Sequence, residues 1–355
     1  MHIGIDLGFG NLHQDLPDHR VYTGEVRLAT LAERLGFDSV WAVEHHFSEY
    51  SMCPDNILFL AHVAGLTERI RLGTGAVILP WHDPLRVAER MIMLDILSGG
   101  RALLGVGRGL ARTEYEAFRI PMGESRDRFD EAARMVADAL KTGFIEGHGP
   151  FYPQPRTQLR PQPRGPFTDR LYCVAGSPDS AIVAANLGAR LLSVVIKPIT
   201  EHMDVFNTYR DEFRARHGVE APPIMCMINL YCAADGRLAR ERARDHLDRQ
   251  FRAHVRHYEM TGDHFAGTAG YERYAEAAAE TLRGGVDAQV DRYLAASLVG
   301  DPDEVLARII QLDRALGGFG LSVTPSYGGM PCEEAEQSLE LFGKEVLPAA
   351  RGLRE

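Results

Sequence analysis

At 355 residues the chain is longer than an ordinary sandwich or bundle domain and suits one large α/β domain. Hydrophobic residues make up 45% and charged residues 25%, the balance of a soluble globular protein, which excludes disordered and collagen-like classes. Acidic residues outnumber basic ones 49 to 39, a formal charge of −10, which argues against nucleic acid or an anionic membrane as the main partner.

The five cysteines (Cys53, Cys173, Cys226, Cys232 and Cys332) are scattered and form no C-x-x-C. Neither a disulfide nor a zinc framework is expected, and a reducing cytoplasm is the default. The opening Met-His-Ile-Gly-Ile-Asp reads as a strand rather than a basic, then apolar leader. No apolar run approaches the roughly 18–20 residues needed to span a bilayer.

In chain order, strands and helices alternate. His2–Gly8 reads as a strand and Glu25–Leu35 as a helix, with Val26, Leu28, Ala29, Leu31 and Ala32 at helical spacing. Ser39–Val43 is a second strand, Ile57–Leu66 a helix and Ile70–Leu79 a third strand. Pro84 suits the first turn of a helix running to Leu97. Arg101–Val106 is a fourth strand and Ser125–Lys141 a helix. Residues 146–168 hold six prolines and read as an irregular excursion. Leu171–Ala175, Ala189–Ile196 and Ile224–Ala233 are further strands, with helices at Ser180–Asn186, Ile199–His217 and Leu238–Glu259. A second excursion spans about 261–290, with Gly262, Gly267, Gly270, Gly284 and Gly285. A helix through Leu316, a strand at Gly320–Val323 and a helix at Glu333–Leu347 complete the chain.

Eight strands, each followed by a helix and each nearly all apolar, point to a closed (β/α)8 TIM barrel, with the two excursions as insertions in one domain over 1–355. An open doubly wound sheet would want a Gly-rich first turn, and no G-x-G-x-x-G is present.

Barrel enzymes work at the C-terminal ends of their strands. Four such ends are unusual here. Glu44-His45-His46-Phe47 follows strand two, and neighbouring extended residues point opposite ways, so one histidine can face the mouth and exchange protons. A structural histidine is the alternative, and no H-x-H or H-E-x-x-H supports a metal. Gly73-Thr74-Gly75-Ala76 places small residues in a buried strand, which marks either a close ligand or a bulge. Gly107-Arg108-Gly109 offers a planar cation for an anion such as phosphate, or a surface turn. Ala175-Gly176-Ser177-Pro178-Asp179-Ser180 opens a helix whose N-terminus is either an anion site or an ordinary cap. Together they suit a flat, phosphate-bearing cofactor. Trp41, Trp81 and the cysteines read as core or surface filler, and His254 and His257 as helix-face residues.

The motifs resemble those of the bacterial luciferase-like flavin-dependent monooxygenases: Glu-His-His-Phe (44–47), Leu-Gly-Thr-Gly-Ala (72–76), Gly-x-Gly-Arg-Gly (105–109), Glu-Ser-Arg-Asp-Arg-Phe (124–129), Gly-Ser-Pro-Asp-Ser (176–180) and Gly-Asp-Pro-Asp-Glu-Val (300–305) occur in family order. The resemblance implies a barrel, often dimeric, that takes reduced FMN from a separate NAD(P)H-dependent flavin reductase and uses O2 through a C4a-peroxyflavin to oxidise a small substrate. It assigns His45 as the catalytic histidine and His46 as a second, less central one. It also implies a non-proline cis peptide at Gly75–Ala76 beneath the flavin ring, phosphate ligation by Arg108, Ser177 and Ser180, and backbone lining by Ala175 and Gly176. Gly107 and Gly176 stand where true luciferases have a cysteine and a glutamate, so luminescence is not expected. The alternatives are a deazaflavin-dependent dehydrogenase on the same barrel, against which Glu-His-His-Phe weighs, and a non-catalytic flavin-binding subunit, which would tend to lack His45.

Overall fold

The computed structural model describes residues 1–12, 16–268, 271, 274–276, 279 and 283–354. Its strands and helices run β1 (Ile3–Leu7), α1 (Asp18–Leu35), β2 (Ser39–Ala42), α2 (Asn56–Ala64), β3 (Arg71–Thr74), β4 (Val77–Ile78), α3 (Pro84–Leu97), β5 (Ala102–Gly107), α4 (Arg112–Ala117) and α5 (Ser125–Thr142). An antiparallel hairpin follows, β6 (Phe144–Gly147) with β7 (Gln154–Gln158). Then come β8 (Leu171–Val174), α6 (Pro178–Asn186), β9 (Arg190–Val194), α7 (Met203–His217), β10 (Ile224–Cys232) and α8 (Gly236–His257). The chain ends with α9 (Val286–Ala296), β11 (Leu298–Gly300), α10 (Pro302–Leu316), β12 (Phe319–Thr324), α11 (Cys332–Leu341) and α12 (Leu347–Arg351).

Parallel pairing joins β1, β2, β3, β5, β8, β9, β10 and β12 in that order, and β12 pairs back with β1, closing an eight-stranded (β/α)8 barrel. β1, β2, β5 and β10 are buried at every position, which is why they read as continuous apolar runs: helices cover the outside and side chains fill the inside. Asp55, Asp83 and Asp301 cap the helices that follow them, so the turn chemistry in the sequence sets where α2, α3 and α10 begin.

Inside the barrel, Trp41, Leu103, Tyr172, Leu192, Met225 and Met227 form one packed cluster. The indole of Trp41 is fully buried, and a Cβ added at Gly73 would lie 2.3 Å from it. Gly73 is therefore small because the tryptophan of the neighbouring strand fills its space, neither for a ligand nor for a bulge.

Several boundaries differ from the sequence expectation. α1 starts at Asp18 rather than Glu25, because Val21 is buried and Tyr22 packs on Phe9, and that packing outweighs local propensity. The third strand is broken at Gly75–Ala76, which is a cis peptide, and ends in a 3-10 turn at Leu79–Trp81. Within 146–168 the proline-bearing β7 is an edge strand of the hairpin, where proline loses no ladder bond. α4 and β11 are too short for periodicity to reveal, and the excursion at 261–290 yields to helix from Val286. Gly270 lies outside the described residues.

Candidate active site

The C-terminal ends of the strands gather the residues singled out above. His45 stands just beyond β2, with its backbone N–H bonded to the Cys53 carbonyl. Its Nδ1 lies 3.2 Å from Glu114 Oε1, and the Tyr258 hydroxyl lies 3.3 Å from its Nε2. The same Glu114 oxygen accepts the His46 backbone N–H at 2.8 Å. A carboxylate on Nδ1 holds the proton there, leaving Nε2 as the acceptor that meets Tyr258. Glu114 comes from α4 and is almost fully buried.

His257, expected on a helix face, instead faces inward. It is buried, with Ser48 Oγ 3.1 Å from its Nδ1 and Glu114 Oε1 3.7 Å from its Nε2. Burial, then the neighbouring His45 and His254, push its pKa down to about 3, so it stays neutral. His45, Glu114 and His257 thus each offer a ligand atom within 4.8 Å of the others, a grouping of three separate segments that no local spacing announces. Tyr50 stacks on His257, with ring centres 4.6 Å apart, and stands edge-on to His45 at 5.4 Å.

His46 points the other way, as strand geometry expects, onto Glu44. Glu44 Oε1 accepts from Trp81 Nε1 at 2.7 Å and meets His82 Nε2 at 2.8 Å and His46 Nε2 at 3.3 Å, while Oε2 takes the Ile78 N–H at 3.2 Å. Burial alone would raise its pKa, but His46, His82 and Trp81 overcome that and hold it at about 2. Trp81 is therefore not filler; it anchors this hub. Asn56 is the other unforeseen tie: its Nδ2 donates to the carbonyls of Ala42 and Ala76 at 3.1 and 3.0 Å, fastening the strand end that carries His45 to the Gly75–Ala76 bend.

Arg108 follows β5, and Ala175 follows β8, the adjacent strand. The Arg108 guanidinium lies 4.1 Å from the centre of the Tyr271 ring. The Tyr271 hydroxyl lies 3.0 Å from both Gly109 O and Ser125 Oγ, donating to the carbonyl and free to accept from the serine. Ser177 caps α6 in a reciprocal box: Ser180 N–H donates to Ser177 Oγ and Ser177 N–H to Ser180 Oγ. The Ser180 hydroxyl in turn donates to the Ser177 carbonyl at 2.8 Å. Ala175 is buried and Gly176 exposed, with the Tyr274 hydroxyl 3.4 Å from where a Gly176 Cβ would stand. Tyr258, Met260, Phe265 and Tyr271 pack on Ala111 as an aromatic cover beside these groups.

A family model described as luciferase-like monooxygenase matches residues 1–318. The chain belongs to the luciferase-like monooxygenase family. Its similarity extends to the alkanal monooxygenase alpha chain of Photobacterium leiognathi, 26% identical over 345 residues, 96% of this chain and 95% of that one. A solved monooxygenase from Streptomyces bottropensis is 32% identical, with a TM-score of 0.74 over 98% of this chain and 99% of that one. The oxygenating constituent of 3,6-diketocamphane monooxygenase of Pseudomonas putida, a type II Baeyer–Villiger monooxygenase solved with FMN, shares the fold at a TM-score of 0.75, with 20% identity and 98% of each chain covered. The Pseudomonas putida relative was solved with FMN, and the residues at this barrel mouth can be tested for their fit to such a group. The donor set there suits one: a guanidinium and a helix N-terminus stand on adjacent strand ends, beside a bend of small residues.

Proposed function

We propose that the protein is the oxygenase component of a two-component monooxygenase that takes reduced FMN from a separate NAD(P)H-dependent reductase and oxidises a small, largely apolar molecule with O2. The observation that carries this reading is His45, held at the barrel mouth with Glu114 on Nδ1 and Nε2 directed at a hydroxyl. Reduced FMN, when bound, supplies the activation of O2. Arg108 and the N-terminus of α6 would hold its phosphate, with Ala175, Gly176 and the Gly75–Ala76 bend against the ring. Ser177 and Ser180 would turn toward the phosphate the hydroxyls that here bond each other and the Ser177 carbonyl. His45 Nε2 would hold or move the proton that oxygen transfer requires, with Glu114 fixing the tautomer. The aromatic cover would exclude water. A homodimer in the cytoplasm completes the reading.

Stopped-flow mixing of the protein and photoreduced FMN with oxygenated buffer tests it. Reoxidation much slower than that of free reduced FMN supports the oxygenase. Reoxidation at the free rate, with protein in excess, refutes it. Parallel titrations with FMN and a deazaflavin then separate the cofactors.

A further inference from the structure

One imidazole beside His45 has no task in the reading above. His257, at the end of α8, is more than nine-tenths buried, and its ring is fixed from two sides: Ser48 Oγ lies 3.1 Å from Nδ1, and Tyr50 stacks on one face with ring centres 4.6 Å apart. Ser48 is itself tied, its Oγ accepting the Tyr50 backbone N–H at 3.0 Å. So held, His257 aims its other nitrogen, Nε2, at Glu114 Oε1 but stops 3.7 Å short of it, and that nitrogen has no hydrogen-bond partner among the described residues.

Neither tautomer of His257 satisfies this atom. With the proton on Nδ1, a bare lone pair faces a buried carboxylate; with the proton on Nε2, a buried N–H falls short of its acceptor. Either costs stability, so the position calls for something between the two groups that both can bind. A hydrogen bond does not span 3.7 Å. A metal ion does: bonds of about 2.0–2.2 Å from imidazole nitrogen and carboxylate oxygen to a tetrahedral ion put two donor atoms about 3.4 Å apart. The spacings here bracket that value, 3.7 Å from Glu114 Oε1 to His257 Nε2 and 3.2 Å from the same oxygen to His45 Nδ1, and all three donors lie within 4.8 Å of one another. Every donor also has an outer partner to orient it: Ser48 on the far nitrogen of His257, the Tyr258 hydroxyl on that of His45, and the His46 backbone N–H on Glu114.

We propose that His45, Glu114 and His257 form a binding site for a divalent transition-metal ion of the zinc class. Two imidazoles and one carboxylate favour such an ion over Mg2+ or Ca2+, which prefer oxygen, and leave a fourth position open. The ion takes the place of the proton on His45 Nδ1. The imidazole then carries its hydrogen on Nε2, donates to Tyr258 and loses the acceptor that the oxygenase needs, so occupancy switches that chemistry off. This consequence rests on the oxygenase reading; the binding site does not.

Titration of the untagged, chelator-stripped full chain with Zn2+ alone, without flavin or O2, tests the site. Calorimetry should give one ion per chain with a dissociation constant of about 1 µM or tighter, and excess Mg2+ should not displace it. His257→Ala should weaken Zn2+ binding about 100-fold. Glu114→Gln, nearly isosteric, should weaken it about tenfold and guards against an alanine variant that fails to fold. His148→Ala, which removes an exposed histidine paired with Glu146, should leave the constant unchanged. Co2+ bound to the native protein should show the visible bands of a four-coordinate nitrogen and oxygen site, absent from both site variants. A constant weaker than about 100 µM, one that neither site variant moves, one that His148→Ala moves as much, or displacement by Mg2+ would overturn the site. If Zn2+ binds as stated while reduced FMN reoxidises at its free rate, the oxygenase reading falls and the metal site stands.

Discussion

Replacing Glu44 by glutamine probes the hub that holds the Glu-His-His-Phe turn in place. The change keeps the volume and removes one acceptor oxygen. Whichever way the amide turns, its NH2 faces either the Ile78 N–H or the three donors from Trp81, His82 and His46. One buried donor left unmatched costs about 1–3 kcal/mol, more where the lost bond was charge-assisted. The depressed pKa of Glu44 expresses those same bonds. Its folded pKa of about 2 against an ordinary 4.5 corresponds to about 3 kcal/mol at neutral pH. Because the folded value is depressed, this stability is present above pH 4.5 and is lost as pH falls from there toward 2. Equilibrium urea unfolding of native and Glu44→Gln protein should show a gap of about 3 kcal/mol at pH 7, narrowed by nearly 1 kcal/mol at pH 4. At roughly 2 cal/mol/K per residue of unfolding entropy, the same loss lowers Tm by about 4 °C. A gap under 1 kcal/mol at pH 7, or one that widens on acidification, would refute the assignment of Glu44 as an ionised hub.

Other changes address the chemistry and the packing. His45→Ala should lower turnover by about 100-fold or more while FMN affinity stays within a few-fold; unchanged turnover removes His45 from the reaction. Glu114→Gln leaves His45 in place but lets Nδ1 become the acceptor, so turnover should fall and its pH profile shift, with KM little changed. A profile that does not move would make Glu114 a packing residue. Arg108→Ala should weaken FMN binding about tenfold in a fluorescence titration, and an unchanged constant would take Arg108 out of the phosphate site. Gly73→Ala forces a methyl into the Trp41 ring and should cost about 1–3 kcal/mol in urea unfolding; a neutral result would mean that the indole has room to move.

The barrel was legible in the sequence because its signals are local. Strands covered on both faces are apolar throughout, Asp55, Asp83 and Asp301 cap the helices that follow, and the glycines and histidines at the strand ends stand out one segment at a time. His45, Arg108 and Ser177 could be singled out for that reason. Barrel closure decided their partners. Glu114 falls between the elements read from the sequence and carries no local signal, yet it is buried against His45; His257 and Tyr258 arrive from the far end of α8; Trp81, His82 and Ile78 converge on Glu44; and Asn56 spans two strand ends. Asp6 is the sharpest instance: in the sequence it is a charged residue at the end of a strand, and only the packing of β1 between β12 and β2 makes it a buried carboxyl that keeps its proton. A carboxyl's hydrogen-bond partners and desolvation come from residues far away in the chain, so no reading of neighbouring residues contains them.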